Sequence, residues 1–188
     1  MRKLYKADII PDCTVISDTK PELKKLHEGA EDALCPLVFS STASVPFVAD
    51  HKGPRYILCQ KGFEPAEALA QKNDWPVIDS YGSVALTALV LAVEKGFKEI
   101  IFIGQDLCYK GNQMHASDTT THHATEEPGR IVTTDIFGDR VTVPVNLSIF
   151  KVQIEEVVKK HPEITFINAT EGGLHLEGVP DKHLAEVL

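Results

Sequence analysis

The stretch from Gly82 to Gly111 constrains the fold more than any other part of the chain. It opens with Gly82-Ser83, a helix start in which Ser83 is placed to accept a hydrogen bond from the free amides of the first turn. The run that follows is apolar on every side, with Thr87 its single polar interruption before Glu94. A helix hydrophobic all round is expected to be buried. Gly96 supplies the left-handed residue that ends such a helix. Ile100-Ile101-Phe102-Ile103 then reads as a strand, apolar throughout like the inner strands of a parallel sheet, and it ends in Gly104-Gln105-Asp106. A helix and the strand after it run in opposite directions. The helix start and the strand end therefore share a rim, where open α/β sheets bind ligands and above all anionic ones.

The rest of the chain repeats this alternation of strand and helix. Strands are expected at 13–17, 37–39, 55–59 and 164–167, with a short extended piece at 76–78. Helices are expected at 20–27, in a turn reaching Val48, at 65–71, and at 147–160, where Leu147, Phe150, Ile154, Val157 and Val158 follow helical spacing. Residues 131–137 and 140–143 flank Gly138-Asp139 and read as a hairpin. Residues 107–130 are polar and rich in Thr, His and Gly, and so long a loop is usually functional, mobile or both. The expected fold class is α/β: a Rossmann-like three-layer arrangement with a mostly parallel sheet and a β-hairpin insertion, all in one domain over residues 1–188.

Composition sets limits on function. A chain of 188 residues with 43% hydrophobic content can build a sizeable core. Its net charge of −8 argues against a general nucleic-acid or anionic-membrane surface. Its longest apolar stretch falls well short of the roughly 20 residues that a membrane span needs, and Met1 to Asp8 does not read as a signal segment. Cys13, Cys35, Cys59 and Cys108 form no Cys-x-x-Cys pair and are expected to be buried free thiols, which fits a reducing cytoplasm.

If the strands are parallel, their polar ends gather on one edge: Ser17-Asp18, Ser40-Ser41-Thr42, Gln60, Gly104-Gln105-Asp106, and Asn168-Ala169-Thr170-Glu171-Gly172-Gly173. Asp106 stands out as an acid suited to binding a metal, orienting a sugar or pterin hydroxyl, or capping the following turn. Tyr109 and His115 lie beyond it on the long loop, and histidine is the side chain best able to exchange a proton near neutral pH. His122-His123 lack a specific ligand spacing and read as surface residues, so no metal site is expected. The P-loop, Gly-x-Gly-x-x-Gly and Gly-x-Ser-x-Gly motifs are all absent, as is Asp-x-Asp.

The run Gly82-Ser83-Val84-Ala85 to Gly104-Gln105-Asp106-Leu107, with Tyr109, Gly111 and His115-Ala116, resembles the motility accessory factor (Maf) glycosyltransferases. Asn168 to Gly173 resembles a second hallmark of that group, and Ile10-Pro11-Asp12 to Ser17-Asp18 matches it in position. The wider set includes archaeal enzymes with an MptE-like domain that transfer diphosphate to 6-hydroxymethyl-dihydropterin. The resemblance implies transfer of a nonulosonic acid from a CMP-activated donor to flagellin Ser/Thr hydroxyls. It places Gly82 and Ser83 at the donor phosphate and Gly104, Gln105 and Asp106 near the sugar. Asn168 and Glu171 line the same pocket, with His115 or Tyr109 as the proton-transferring group, and the strand-end clusters add Asp18, Ser41 and Gly172 as further ligand-binding candidates.

The implied partners are a nucleotide-sugar donor and flagellin or another protein acceptor, with no nucleic acid; a homo-oligomer is compatible with the sequence. The alternatives are a diphosphokinase using ATP and Mg²⁺, and a non-catalytic binding module. Members of the group begin their shared domain with a strand and a Gly-x-Gly-Pro-Ser-like loop. Here Met1 falls just before Ile10-Pro11-Asp12, so a fragment or shortened relative is expected.

Overall fold

The computed structural model describes residues 2–20, 22, 33–110 and 130–188. The chain divides into two compact units, Met1–Leu91 and Ala92–Leu188.

The first unit holds α1 (Arg2–Lys6), β1 (Thr14–Ile16), β2 (Leu37–Ser40), α2 (Val45–Asp50), β3 (Arg55–Gln60), α3 (Glu64–Asn73) and β4 (Val77–Ile78). Its strands pair in the order β1-β2-β3-β4, all parallel. The register sets Thr14 beside Leu37, Leu37 beside Arg55, and Cys59 beside Val77. Every strand therefore ends on the same side, as parallel pairing requires. Leu37 is fully buried, and Cys59 packs with Ala66 and Ala70 of α3, small side chains four apart on one helix face. Gly53 is pressed on the neighbouring chain: a Cβ there would meet the Leu34 carbonyl oxygen at 2.5 Å. The helix expected at 20–27 falls almost wholly outside the described residues, and α1 carried no sequence signal.

Helix α4 (Val84–Glu94) crosses from the first unit into the second. Its end is as expected. Gly96 adopts φ +79°, its amide meets the Val93 carbonyl, and the Phe97 amide reaches Ala92. These two bonds satisfy carbonyls that the helix leaves open. Its burial is less complete than its composition implies. Leu86, Thr87 and Leu89 are buried, whereas Val84 is 44% exposed.

The second unit continues with β5 (Glu99–Phe102), β6 (Ile131–Thr134), β7 (Arg140–Val143), α5 (Val145–Lys160), β8 (Thr165–Asn168) and a 3-10 turn at Leu184–Glu186. Strands β5 and β8 pair in parallel, Glu99 beside Thr165 and Phe102 beside Asn168. The rings of Phe102 and Phe166 stack at 6.3 Å between centroids. Helix α5 buries Ile154, Val157 and Val158, the face its spacing marks as apolar.

Strands β6 and β7 form the expected antiparallel hairpin, Ile131 beside Val143 and Thr134 beside Arg140, but not around a two-residue turn. The buried Asp135 carboxylate accepts the amides of Phe137 and Asp139, both at 2.9 Å, so the turn spans 135–139 with Gly138 at φ +86°. An aspartate accepting from a backbone amide two residues on makes its own turn. The α/β class holds, with all-parallel pairing in the first unit and one parallel and one antiparallel pair in the second.

The cysteines are all free, and two of the four differ in burial from what the sequence implies. Cys35 and Cys59 are buried, Cys108 is half-buried, and Cys13 is exposed at the start of the short β1. Burial, with Asp106 and Asp135 nearby, pushes the Cys108 thiol up to about 11, which leaves it a poor nucleophile.

Candidate functional site

Parallel pairing in the first unit brings the ends of β1, β2 and β3 together. The Ser40 hydroxyl donates to the Ser17 carbonyl at 3.3 Å, and the Ser44 amide donates to the Asp18 carbonyl at 2.9 Å. Thr42 Oγ1 donates to Gln60 Oε1 at 3.0 Å, which ties the end of β2 to the end of β3. Asp18 holds the Lys20 amide through Oδ1. Two hydroxyls in this cluster, Ser41 Oγ and Ser44 Oγ, are buried with no hydrogen-bond partner among the described residues. A buried hydroxyl without a partner costs about 1–3 kcal/mol, so each is a group that a ligand stabilises by supplying one. Further along the chain, Tyr81 and Gly82 both take positive φ, 49° and 72°, to enter α4. Thr87 Oγ1 lies 2.9 Å from the Ser83 carbonyl and 3.3 Å from that of Ser80, fixing this turn from within the helix.

The second unit builds its edge differently. The Gln105 amide, just past β5, donates to Thr170 Oγ1 at 3.0 Å, and the Thr170 amide donates to Asn168 Oδ1 at 3.2 Å. Asn168 is 1% exposed, and its Nδ2 donates to Asp181 Oδ1 at 2.7 Å. Asp181 Oδ2 faces His175 Nδ1 at 2.8 Å. The Leu174 amide donates to the Asp106 carbonyl, and a Cβ on Gly173 would fall 2.4 Å from the Asp106 backbone. Only glycine fits there, both for space and for its φ of +75°.

Gly172 lies alongside, where an added Cβ would sit 3.6 Å from Asp106 Oδ1. The Asp106 side chain is exposed. Glu171 is exposed too, held in a left-handed conformation at φ 58°. It accepts the Leu184 amide at 3.0 Å and faces His183 Nδ1 at 3.3 Å, and these bonds hold its carboxyl below the ordinary range.

The candidate residues thus fall into two sets, Asp18, Ser41, Gly82 and Ser83 in the first unit, and Gly104, Gln105, Asp106, Asn168, Glu171 and Gly172 in the second. His115 lies outside the described residues, as do Gly111 and the pair His122-His123. Tyr109 is 7% exposed. Its backbone exchanges both hydrogen bonds with Thr142 beside β7, and the Arg130 guanidinium lies 5.9 Å from its ring centroid. It is anchored in the hairpin layer and not carried on a polar loop. Sequence reasoning passed over Ser44, Thr170, His175 and Asp181. Thr170 stood inside a motif already singled out, whereas the others carry no spacing signal. Among the described residues no three His, Cys, Asp or Glu side chains gather as metal ligands, and no helix is long and apolar enough to cross a membrane.

Parallel strands whose C-terminal ends collect hydroxyl, amide and carboxylate groups define an α/β fold with polar strand ends, the edge at which such sheets commonly carry their sites. More narrowly, residues 1–112 match the 6-hydroxymethylpterin diphosphokinase MptE-like family, and the chain belongs to it. Over its full length the fold is similar to the Maf glycosyltransferase from Magnetospirillum magneticum AMB-1, with a TM-score of 0.76 and 18% identity. The chain spans 28% of that longer protein. No curated protein matches the chain by sequence.

Proposed function

We propose that this chain is a glycosyltransferase-like domain that binds a CMP-activated nonulosonic sugar and transfers the sugar to a Ser/Thr hydroxyl of flagellin or another protein. The observation that carries this reading is the interlocked end of β5 and β8, where Gly104-Gln105-Asp106 and Asn168–Gly173 are joined by the Gln105–Thr170 and Asp106–Leu174 hydrogen bonds. It stands in a chain whose whole length shares the fold of a Maf glycosyltransferase. The hydroxyls of Ser41 and Ser44 suit a polyhydroxylated or heterocyclic group that both donates and accepts. The positive end of α4 at Gly82-Ser83 suits the phosphate. The family description favours a second reading, diphosphate transfer from ATP with Mg²⁺ to a hydroxymethylpterin.

Calorimetry with CMP, CMP-N-acetylneuraminic acid, and ATP with Mg²⁺ separates the two. Saturable binding of the cytidine ligands alone is expected. Binding of ATP with Mg²⁺ alone moves the chain to the diphosphokinases, and binding of neither removes both readings. Asp106→Asn is expected to lower cytidine-ligand affinity with thermal unfolding nearly unchanged, because its side chain is exposed and its backbone carbonyl makes the structural bond.

A further inference from the structure

The transfer just proposed needs a group to take the proton of the acceptor hydroxyl, and this inference rests on that reading. Four imidazoles stand among the described residues with a ring nitrogen near a hydrogen-bond partner. His51 is 6% exposed with Nε2 on the Cys35 carbonyl, so its ring is committed to the interior of the first unit. His161 pairs with Glu163 before the start of β8, at the opposite end of that strand from Asn168. His183 meets Glu171 at 3.3 Å, but Glu171 Oε1 also holds the Leu184 amide.

His175 differs from all three. Its Nδ1 lies 2.8 Å from Asp181 Oδ2, and its side chain is 64% exposed. An ionised carboxylate only accepts, so the proton of this bond sits on Nδ1, and in the neutral imidazole the lone pair is left on Nε2. The other oxygen of Asp181 is pinned by Asn168 Nδ2 at 2.7 Å. Asn168 in turn cannot flip, because its Oδ1 takes the Thr170 amide. Thr170 Oγ1 takes the amide of Gln105. One line of hydrogen bonds thus runs from the end of β5 through the Asn168–Thr170 motif to an outward-facing imidazole. Leu174, the residue before it, donates its amide to the Asp106 carbonyl, so the backbone that carries His175 is tied to the end of β5.

We propose that His175 is the general base of the transfer, and that Asp181 and Asn168 are positioning residues that fix its tautomer. Nε2 of His175 accepts the proton of the attacking hydroxyl as the oxygen bonds to the anomeric carbon of the sugar. The bond from that carbon to the phosphate oxygen breaks, and its electron pair leaves with the nucleotide. The arrangement is that of a base oriented by a carboxylate, which is recognised by geometry and not by chain order. Among the described contacts, Asp181 is the charged group that meets His175.

The test uses the full chain, CMP-N-acetylneuraminic acid as donor and water as acceptor. Release of CMP is followed against pH for the wild type, His175→Gln, Asp181→Asn and His161→Gln. Long-range proton–nitrogen NMR of the imidazoles is run beside it. In the neutral imidazole of the wild type, the proton is expected on Nδ1 of His175 and not on Nε2. Asp181→Asn is expected to shift the proton toward Nε2. His175→Gln is expected to lower kcat on the order of 10²–10⁴-fold and to remove the acidic limb of the profile, with KM little changed. His161→Gln is expected to match the wild type.

A wild type that releases no CMP overturns the proposed function and this base with it. A wild type that releases CMP while His175→Gln keeps its rate and profile overturns the base and leaves the function standing. An Nε2-protonated His175 in the wild type does the same.

Discussion

The strand ends of the two units use polar side chains in opposite ways. Those of the second unit satisfy one another: Gln105, Thr170, Asn168, Asp181 and His175 form an unbroken chain of hydrogen bonds. Those of the first unit are left partly open, with Ser41 Oγ and Ser44 Oγ buried and unpartnered among the described residues. A saturated network holds geometry, because its bonds support one another about Asn168, which is buried. An unsaturated hydroxyl is a standing cost that a ligand relieves. The second unit fixes the direction of its polar side chains, and the first leaves two hydroxyls unpaired among the described residues.

The sharpest way to break the contrast is at the glycine that closes the second edge. Gly173→Ala places a Cβ 2.4 Å from the Asp106 backbone at a φ of +75°. A clash with backbone combined with left-handed strain is expected to cost about 3 kcal/mol or more, read as a fall in the urea midpoint. Asn168→Ala comes next. It strips a partner from the Thr170 amide and from Asp181, and a loss of about 2 kcal/mol is expected in the same denaturation experiment. If Asn168→Ala is as stable as the wild type, the network is not holding the edge.

The first edge should respond in the reverse sense. Ser41→Ala and Ser44→Ala remove hydroxyls that have no partner, so stability is expected to hold or to rise by up to about 1 kcal/mol. Affinity for CMP, in contrast, is expected to fall about 3- to 10-fold for each, the worth of one hydrogen bond, as measured by calorimetry. A large loss of stability in either variant would show that the two edges work alike.

What the sequence made legible follows the range of the forces involved. The end of α4 was readable because Gly96 and its two capping bonds lie within a few residues of one another. The apolar run at Ile100–Phe102 and the spacing of Ile154, Val157 and Val158 gave β5 and α5 for the same reason. The hairpin was found, but its turn was misjudged, since the Asp135 carboxylate outweighs the Gly138-Asp139 pair. Composition alone marked α4 as buried all round, yet what covers Val84 is decided by tertiary neighbours.

The site shows the same division. Asn168 and Thr170 were visible as a motif, whereas Asp181 meets Asn168 thirteen residues on and His175 gains meaning only from that meeting. Tyr109 looked like a loop residue because its pairing with Thr142 spans a stretch that no local pattern encodes.

The smallest expected effect lies at the outer end of the second edge and tests whether its saturation depends on charge. Glu171 is held below the ordinary carboxyl range first by the Leu184 amide and then by His183, so its charged form belongs to the folded state. A carboxyl lowered in this way contributes at and above the range where a free carboxyl ionises. The contribution is lost as pH falls through the lowered value. The group is exposed, so the loss should be local and not global. Amide exchange at Leu184 is therefore expected to accelerate at acid pH, beyond the intrinsic trend, while that of Asn168 does not. Glu171→Gln should remove most of that pH dependence, since a neutral amide oxygen can still accept from Leu184 but cannot be protonated in this range. If exchange at Leu184 ignores pH in the wild type, the tie at this end is made by shape alone, and the charged part of the edge stops at Asp181.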